Sequence, residues 1–344
     1  MKMYILRRIL LMIPTFIGIT FVTFIMTQFV PGGPIDQLRA RAQAGSASGE
    51  AGARGGFSKR SDSQLSEADL KGMMELYGFD KPWYVQYAKW LTRVFQFDLG
   101  ESFRYFTPVS QIISSKLPVS IFYGLVSTFL VYLISVPLGV IKAIRHKTWI
   151  DNVTSIIIFV GYAIPAFALA MVLIVFLASK WSIFPLGGFV SDDFEYLPTF
   201  GAKALDIFKH AFLPLVAYMV GSFASMTILM KNSVMEQMAS DYVKTALAKG
   251  VSYRWSIFRH ALRNSLIPLA TSFGNNLSVL LAGSFLIEKI FNIDGMGLLG
   301  YTSIVERDYP VVLGILVISS LLTLVGNLLS DLCVAAVDPR VRFR

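Results

Sequence analysis

Six stretches of this chain run without a single charged side chain for 20 residues or more, and no other feature limits the fold as strongly. They cover residues 9–30, 117–141, 152–179, 211–230, 264–287 and 309–330. A helix needs about 20 mostly apolar residues to cross the hydrocarbon of a bilayer. Backbone inside lipid must satisfy its own hydrogen bonds, so the runs are predicted as transmembrane helices and the chain as an all-α membrane protein. Composition agrees: only 15% of the residues are charged, against about 25% in a soluble domain. Pro137, Pro165, Pro214 and Pro268 lie inside the runs. Each predicts a kink whose freed carbonyl needs a neighbouring helix or water.

The formal net charge of +9 invites a nucleic-acid reading, but its distribution follows membrane topology. The N-terminus carries Lys2, Arg7 and Arg8; the 142–151 loop carries Lys142, Arg145 and Lys147. The 231–263 loop adds Lys231, Lys244, Lys249, Arg254, Arg259 and Arg263, and the C-terminus Arg340, Arg342 and Arg344. The short loops opposite hold only Lys180, Lys203, Lys209, Lys289 and Arg307. The positive-inside rule then places both termini in the cytosol. The long 31–116 segment is exempt, because long translocated segments escape that rule. The first run is too long for a signal-peptide core and has no small-x-small cleavage pattern before Pro31, so it reads as a retained helix. The single cysteine, Cys333, excludes an intramolecular disulfide and a cysteine metal cluster, and reads as a small buried hydrophobe.

The segments outside the runs differ in character. Residues 40–63 are rich in Ala, Gly and Ser and read as flexible. A short helix is expected from Ser66 through Tyr77, closed by Gly78. Trp83, Tyr84, Tyr87, Trp90, Phe95 and Phe97 follow, suited to bilayer headgroups or to an external partner. Asp192, Asp193 and Glu195 read as solvated surface, or as a contact for a cationic substrate. The last external loop, with Glu288, Asp294, Gly295 and Gly297, reads as a compact turn-rich cap.

The 231–263 loop is the most informative segment. Ser240 is suited to cap a helix whose first residue, Asp241, complements the helix dipole. That helix, 241–249, is too short to be stable alone in water. Gly250 offers the left-handed conformation that closes it, and Ser252 can cap a second helix bearing Trp255, Phe258, Arg259 and Arg263. Tyr242, Val243, Ala246 and Leu247 form one apolar side. Two readings stand from physics alone: a loop helix packed on its own protein, or a slim helix made to lie in a partner's groove.

The stretch Asp241-Tyr242-Val243-Lys244-Thr245-Ala246-Leu247-Ala248-Lys249-Gly250, followed by Arg259-His260-Ala261-Leu262-Arg263-Asn264, resembles the EAA loop of ABC-importer permeases of the oligopeptide and dipeptide branch. Val30-Pro31-Gly32-Gly33-Pro34, Phe97-Asp98-Leu99-Gly100-Glu101-Ser102 and Val337-Asp338-Pro339-Arg340 match the same branch in order along the chain. So do Tyr77-Gly78-Phe79-Asp80-Lys81-Pro82 and Leu117-Pro118-Val119-Ser120. Lys244 stands where the general pattern has a glutamate, which puts any role of that glutamate in doubt.

The resemblance implies a type I importer permease fold with six spans and an external insertion after the first. The divisions expected are 1–30, the first helix; 31–116, the external segment; 117–333, the five-helix core with its loop 231–263; and 334–344, a cytosolic tail. It implies that residues 241–250 form a coupling helix on a partner ATPase, which binds ATP and Mg, with no cofactor in this chain. A second permease subunit and an external peptide-binding protein complete the expected assembly. The polar side chains of the fifth run, Thr271, Ser272, Asn275 and Asn276, with Tyr162 and Pro165 of the third, are candidates for the translocation path. They serve equally as hydrogen bonds that hold the bundle.

No G-x-x-x-x-G-K-[ST] phosphate loop occurs, so energy from ATP must come through a partner. An ion-coupled carrier is the alternative, but it would need carboxylates or histidines within the spans, and the six runs contain neither. Neither H-E-x-x-H nor G-x-S-x-G is present to suggest an intramembrane enzyme.

Overall fold

The computed structural model describes residues 2–29 and 81–337; among these the regular structure is helical, joined by turns and irregular segments, with one isolated bridge between Glu101 and Pro108. The expected flexible stretch 40–63 and the short helix ending at Gly78 lie outside the described residues. Among the described residues, four helices are long and apolar enough to cross a membrane. They are α1 (Lys2–Phe29), α3 (Val109–Ile144), α6 (Phe200–Met238) and α13 (Tyr309–Val337); α2 (Trp83–Phe95) lies between the first two. Thr199 caps α6, its Oγ1 accepting from Ala202 N at 3.1 Å.

The third run forms a bent pair of helices, α4 (Trp149–Ala163) and α5 (Ala166–Leu173), the latter continued by a π-helical stretch Ile174–Lys180. The halves meet at 96°. Ile164 and Pro165 both adopt extended ψ values, 121° and 137°. Proline removes an N–H and disfavours helical geometry in the residue before it. Pro137 and Pro214 carry the same penalty yet sit inside unbroken α3 and α6.

The fifth run is also interrupted. It holds α10 (Ile267–Leu281), and α11 (Phe285–Ile290) starts at its end and leads into the following loop, with Gly283 at φ +78° between them. At 15 residues, α10 is only about 22 Å long, short of a hydrocarbon core of about 30 Å. α12 (Met296–Val305) follows, so the loop before α13 is largely helical rather than turn-rich.

The distribution of polarity supports a lipid environment. Along α3, Leu125, Phe129 and Leu133 are exposed, whereas Ser127 and Ser135 are fully buried. On α4, Ile156, Ile157, Phe159 and Val160 point outward. Apolar groups outside and hydroxyls between helices are what bilayer packing favours.

The chain forms two compact units. The larger comprises Met1–Ile13, Ser115–Tyr301 and Ile318–Arg344. One of its cores gathers Tyr123, Ala170, Leu213, Ala217, Ile287 and Phe291; a second gathers Val131, Met226, Met230 and Leu269. Here α10 crosses α13 with Gly274 against Gly326, so tightly that a Cβ on Gly274 would overlap the Gly326 carbonyl. Ser278 Oγ donates to Leu322 O at 3.2 Å, and Ser330 Oγ to Ala270 O at 2.7 Å, on either side of the crossing.

The smaller unit comprises Pro14–Ser114 and Thr302–Val317. Within it, much of the aromatic run packs on the chain itself. Tyr87 meets Phe21 and Phe24, Trp90 meets Phe24, and the Tyr87 hydroxyl donates to Ile17 O at 3.1 Å. Phe97 and Phe106 stay exposed. The buried Asp308 carboxylate accepts from Ser102 Oγ at 2.5 Å and Phe103 N at 3.1 Å, tying the 102–103 turn to the start of α13.

Candidate functional site: the 231–263 loop and its anchors

The loop begins inside α6 and turns at Ala239–Ser240 into α7 (Asp241–Ala248). Ser240 occupies the cap position, but its hydroxyl donates backward to Gln237 O at 2.5 Å and makes no capping bond. The other end forms as expected. Gly250 has φ +85°, its N–H reaches Leu247 O at 2.9 Å, and Val251 N reaches Ala246 O at 3.2 Å. These two bonds are a Schellman closure, which needs the left-handed residue that glycine adopts freely.

The two faces of α7 have different roles. Val243 and Ala246 are buried against the chain's own helices. Tyr242, predicted on that apolar side, is instead 39% exposed, and only its hydroxyl is engaged. It donates to Gln237 Oε1 at 2.7 Å and accepts from Asn264 Nδ2 at 3.0 Å. Asp241, Lys244, Thr245, Ala248, Lys249 and Gly250 face outward, with Leu247 half-buried. Lys244 pairs with Asp241 at 2.9 Å and holds that carboxyl below the usual carboxylate range.

Beyond Gly250, the chain runs through α8 (Tyr253–Ser256), a π-helical stretch Ile257–Ala261 and α9 (Leu262–Ser265). Ser252 stands at the cap position of α8 without a side-chain capping bond. Trp255 and Phe258 are exposed, as a helix lying at headgroup level requires. Ser233 Oγ donates to Ser265 O at 3.0 Å, and Arg263 Nε to Val337 O at 3.0 Å. The short helix is thus tied to α6 and α9 through Tyr242, and α9 in turn to α6 and α13.

The path candidates separate. Thr271 and Asn275 are exposed one turn apart on α10, while Ser272 and Asn276 are half-buried. The Thr271 and Ser272 hydroxyls are back-bonded to Ile267 O and Pro268 O. Asn276 Nδ2 lies 3.4 Å from the Tyr132 hydroxyl and so joins helices. The Asn275 amide has no hydrogen-bond partner among the described residues. Tyr162 is exposed near the end of α4, at the break marked by Pro165. No hydrogen bond or ring contact joins it to the α10 residues among the described residues.

The burial of the Asp151 and Glu288 carboxylates was not legible in the sequence. Asp151, in the first turn of α4, lies 2.8 Å from Lys231 Nζ on α6 and 3.1 Å from Lys142 Nζ at the end of α3. Lys142 also donates to Asp151 O, Thr154 Oγ1 and Ser155 Oγ at 2.8–2.9 Å. The available signal was an acid among the basic residues of one short loop. Glu288 is 1% exposed; it accepts from Tyr218 Oη at 3.1 Å, Leu298 N at 2.6 Å and Gly297 N at 3.3 Å. Gly283, Gly295 and Gly297 leave the room its carboxyl occupies. Burial pushes that carboxyl above its ordinary value, against these hydrogen bonds. It also caps the N-terminus of α12, with Ser120 Oγ accepting from Met296 N at 2.8 Å.

Comparison with known proteins places this geometry in a family. Residues 135–343 match the model of the binding-protein-dependent transport system inner membrane component. The chain is 40% identical to the inner membrane ABC transporter permease protein YejB of Escherichia coli O157:H7, covering all of this chain and 99% of that protein. It is 41% identical to the peptidoglycan transport system permease protein YejB of Agrobacterium fabrum, with the same coverage. With the oligopeptide transport system permease protein AppB of Bacillus subtilis it shares 35% over the full length of both. A chain of the inward-facing MetNI methionine ABC transporter matches in fold, with TM-score 0.51 and 18% identity, over 66% of this chain and 97% of that one. The chain therefore belongs to the binding-protein-dependent transport system inner membrane components, as a multi-pass inner-membrane permease subunit of an ABC importer with that fold.

Proposed function

We propose that this subunit imports peptides or peptide-like compounds, driven by ATP hydrolysis in a partner ATPase that docks on α7. The observation that carries the substrate class is full-length likeness to permeases named for oligopeptide and peptidoglycan transport. A peptide portion is the chemistry those two names share. The Lys and Arg distribution supports cytosolic termini, which puts α7 in the cytosol and segment 31–116 outside. The external segment and the five-helix core 117–333 then act as separate functional regions.

The geometry of α7 supports docking. Its apolar side is already satisfied within the chain, its closure is internal, and the outward face of Tyr242, Lys244, Thr245, Ala248 and Lys249 is left for another surface. ATP and Mg belong to the ATPase; a second permease chain and an external binding protein complete the importer. Thr271 and Asn275 face either that second permease or the path, because an unpaired amide on a membrane helix needs a partner or water. Ser272 and Asn276 serve the bundle instead. Tyr162 and Pro165 mark the broken third span as a second wall of the path.

Reconstitution of the complete transporter in liposomes tests the reading. Uptake of a labelled oligopeptide should require ATP, the ATPase and the binding protein. Uptake by this chain alone under a proton gradient would support the ion-coupled alternative and overturn it.

A further inference from the structure

The Asp151 cluster joins three helices through buried charge. Lys142 and Asp151 are 1% and 3% exposed, and the Lys231 side chain 15%. One carboxylate serves two ammonium groups: both oxygens lie 2.8 Å from Lys231 Nζ, and Oδ1 lies 3.1 Å from Lys142 Nζ. Lys147 N and His146 Nδ1 approach Oδ2 at 3.2 and 3.3 Å. Burying three charges in this way is costly, and apolar residues of similar volume often stabilise a protein as well or better. Orientation in the membrane needs only that lysines lie in the loop, not that they be buried. What the cluster adds is a directional tie, fixing the ends of α3 and α4 against one point on α6.

That point lies on the rod leading to the coupling helix. α6 runs unbroken from Lys231 to Met238, and α7 starts at Asp241. The helical stretch 231–238 spans about 12 Å. α7 is held to the end of this rod by Tyr242 and Gln237, and the rod to α9 by Ser233. Displacement of α7 therefore moves the end of α6, and with it Lys231.

We propose that the Asp151–Lys142–Lys231 cluster is a positioning node that carries movement of α7 and the end of α6 into α3 and α4, and so sets how much substrate moves for each ATP hydrolysed. The proposal rests on the coupling role given to α7 above. The partner surface acts on α7; these three residues touch neither substrate nor ATPase.

The test uses the complete reconstituted transporter with Asp151→Asn, Lys231→Met and Lys231→Arg. The readouts are co-purification of all subunits and peptide uptake per ATP hydrolysed, a ratio that loss of protein alone leaves unchanged. Asp151→Asn and Lys231→Met should assemble, hydrolyse ATP, and lose uptake per ATP by about tenfold, the scale of coupling between linked sites. Lys231→Arg, which keeps the charge, should restore most of the ratio. An assembled Asp151→Asn or Lys231→Met complex with the wild-type ratio overturns the proposal. If Asp151→Asn does not assemble, Lys231→Met decides, since it leaves one lysine paired with one carboxylate. Failure of both to assemble shows that the cluster serves folding alone, which also overturns the proposal. A wild-type complex without ATP-dependent uptake would instead refute the functional reading on which the node depends.

Discussion

Adding one methyl group at Gly274 should loosen the crossing of α10 and α13. A Cβ there would overlap the Gly326 carbonyl, a backbone atom that no rotamer change can move aside. The helices must separate, and overpacking of this kind costs about 1–3 kcal/mol. Separation also stretches the Ser278–Leu322 and Ser330–Ala270 hydrogen bonds, worth about 0.6 kcal/mol each within a membrane bundle. Alanine returns about 1 kcal/mol through its better helix propensity. The net expectation for Gly274→Ala is a loss of about 1–3 kcal/mol. Gly221→Ala in α6 is the control, because nothing lies within 4 Å of its Cβ position; it should be neutral or stabilise by up to about 1 kcal/mol. Equilibrium unfolding of the purified full-length subunit by SDS, in one mixed-micelle system, compares the two. Gly274→Ala proving as stable as Gly221→Ala would refute the close crossing.

Gly250→Val places a β-branched residue at φ +85° in otherwise open space, so its cost of about 1–2 kcal/mol is backbone strain alone. ATP hydrolysis by the assembled transporter should persist while peptide uptake falls, and unchanged uptake would remove the closure from the mechanism. For Glu288 the folded carboxyl titrates above its ordinary 4.5. The folded state then holds the proton more tightly than the unfolded one, so the contribution of Glu288 to stability is greatest below pH 4.5 and falls as pH rises through the folded value. The melting temperature of wild type relative to Glu288→Gln should show that decline, and a rise over the same window would contradict it. Asn275→Leu should leave the stability of the purified subunit within about 0.5 kcal/mol, since a surface substitution without partners costs little. Transport or subunit association should change instead, and SDS unfolding beside uptake assays separates the two effects.

Sequence reasoning reached the elements that depend on local chemistry. Long apolar runs become α1, α3, α6 and α13 because a charge-free stretch has no other way to satisfy its backbone in lipid. Gly250 closes α7 because only nearby carbonyls are involved. Features decided by distant partners stayed hidden. Pro165 breaks its span while Pro137 and Pro214 do not, and nothing within a few residues of each distinguishes them. Ser240 is a local exception, a cap by composition whose hydroxyl goes instead to Gln237 O, three residues back. Glu288 reads only as part of a turn-rich cap until Tyr218, 70 positions earlier, is placed beside it. Asp151 similarly needs Lys231, 80 positions later. The path candidates were named for polarity alone, so the sequence could not distinguish Asn275, which faces outward, from Asn276, which faces Tyr132.

In the proposed function the outward face of α7 meets the ATPase, and site-directed cross-linking tests that contact. Cysteines would replace Thr245 and Ala248 on the exposed face and Val243 on the buried one, in a Cys333→Ala background. Each assembled transporter would be treated with a short bifunctional thiol reagent after cysteines are placed in the ATPase surface groove. The account predicts cross-links from Thr245→Cys and Ala248→Cys and none from Val243→Cys. A transporter that hydrolyses ATP and imports peptide yet cross-links from neither exposed position would contradict it.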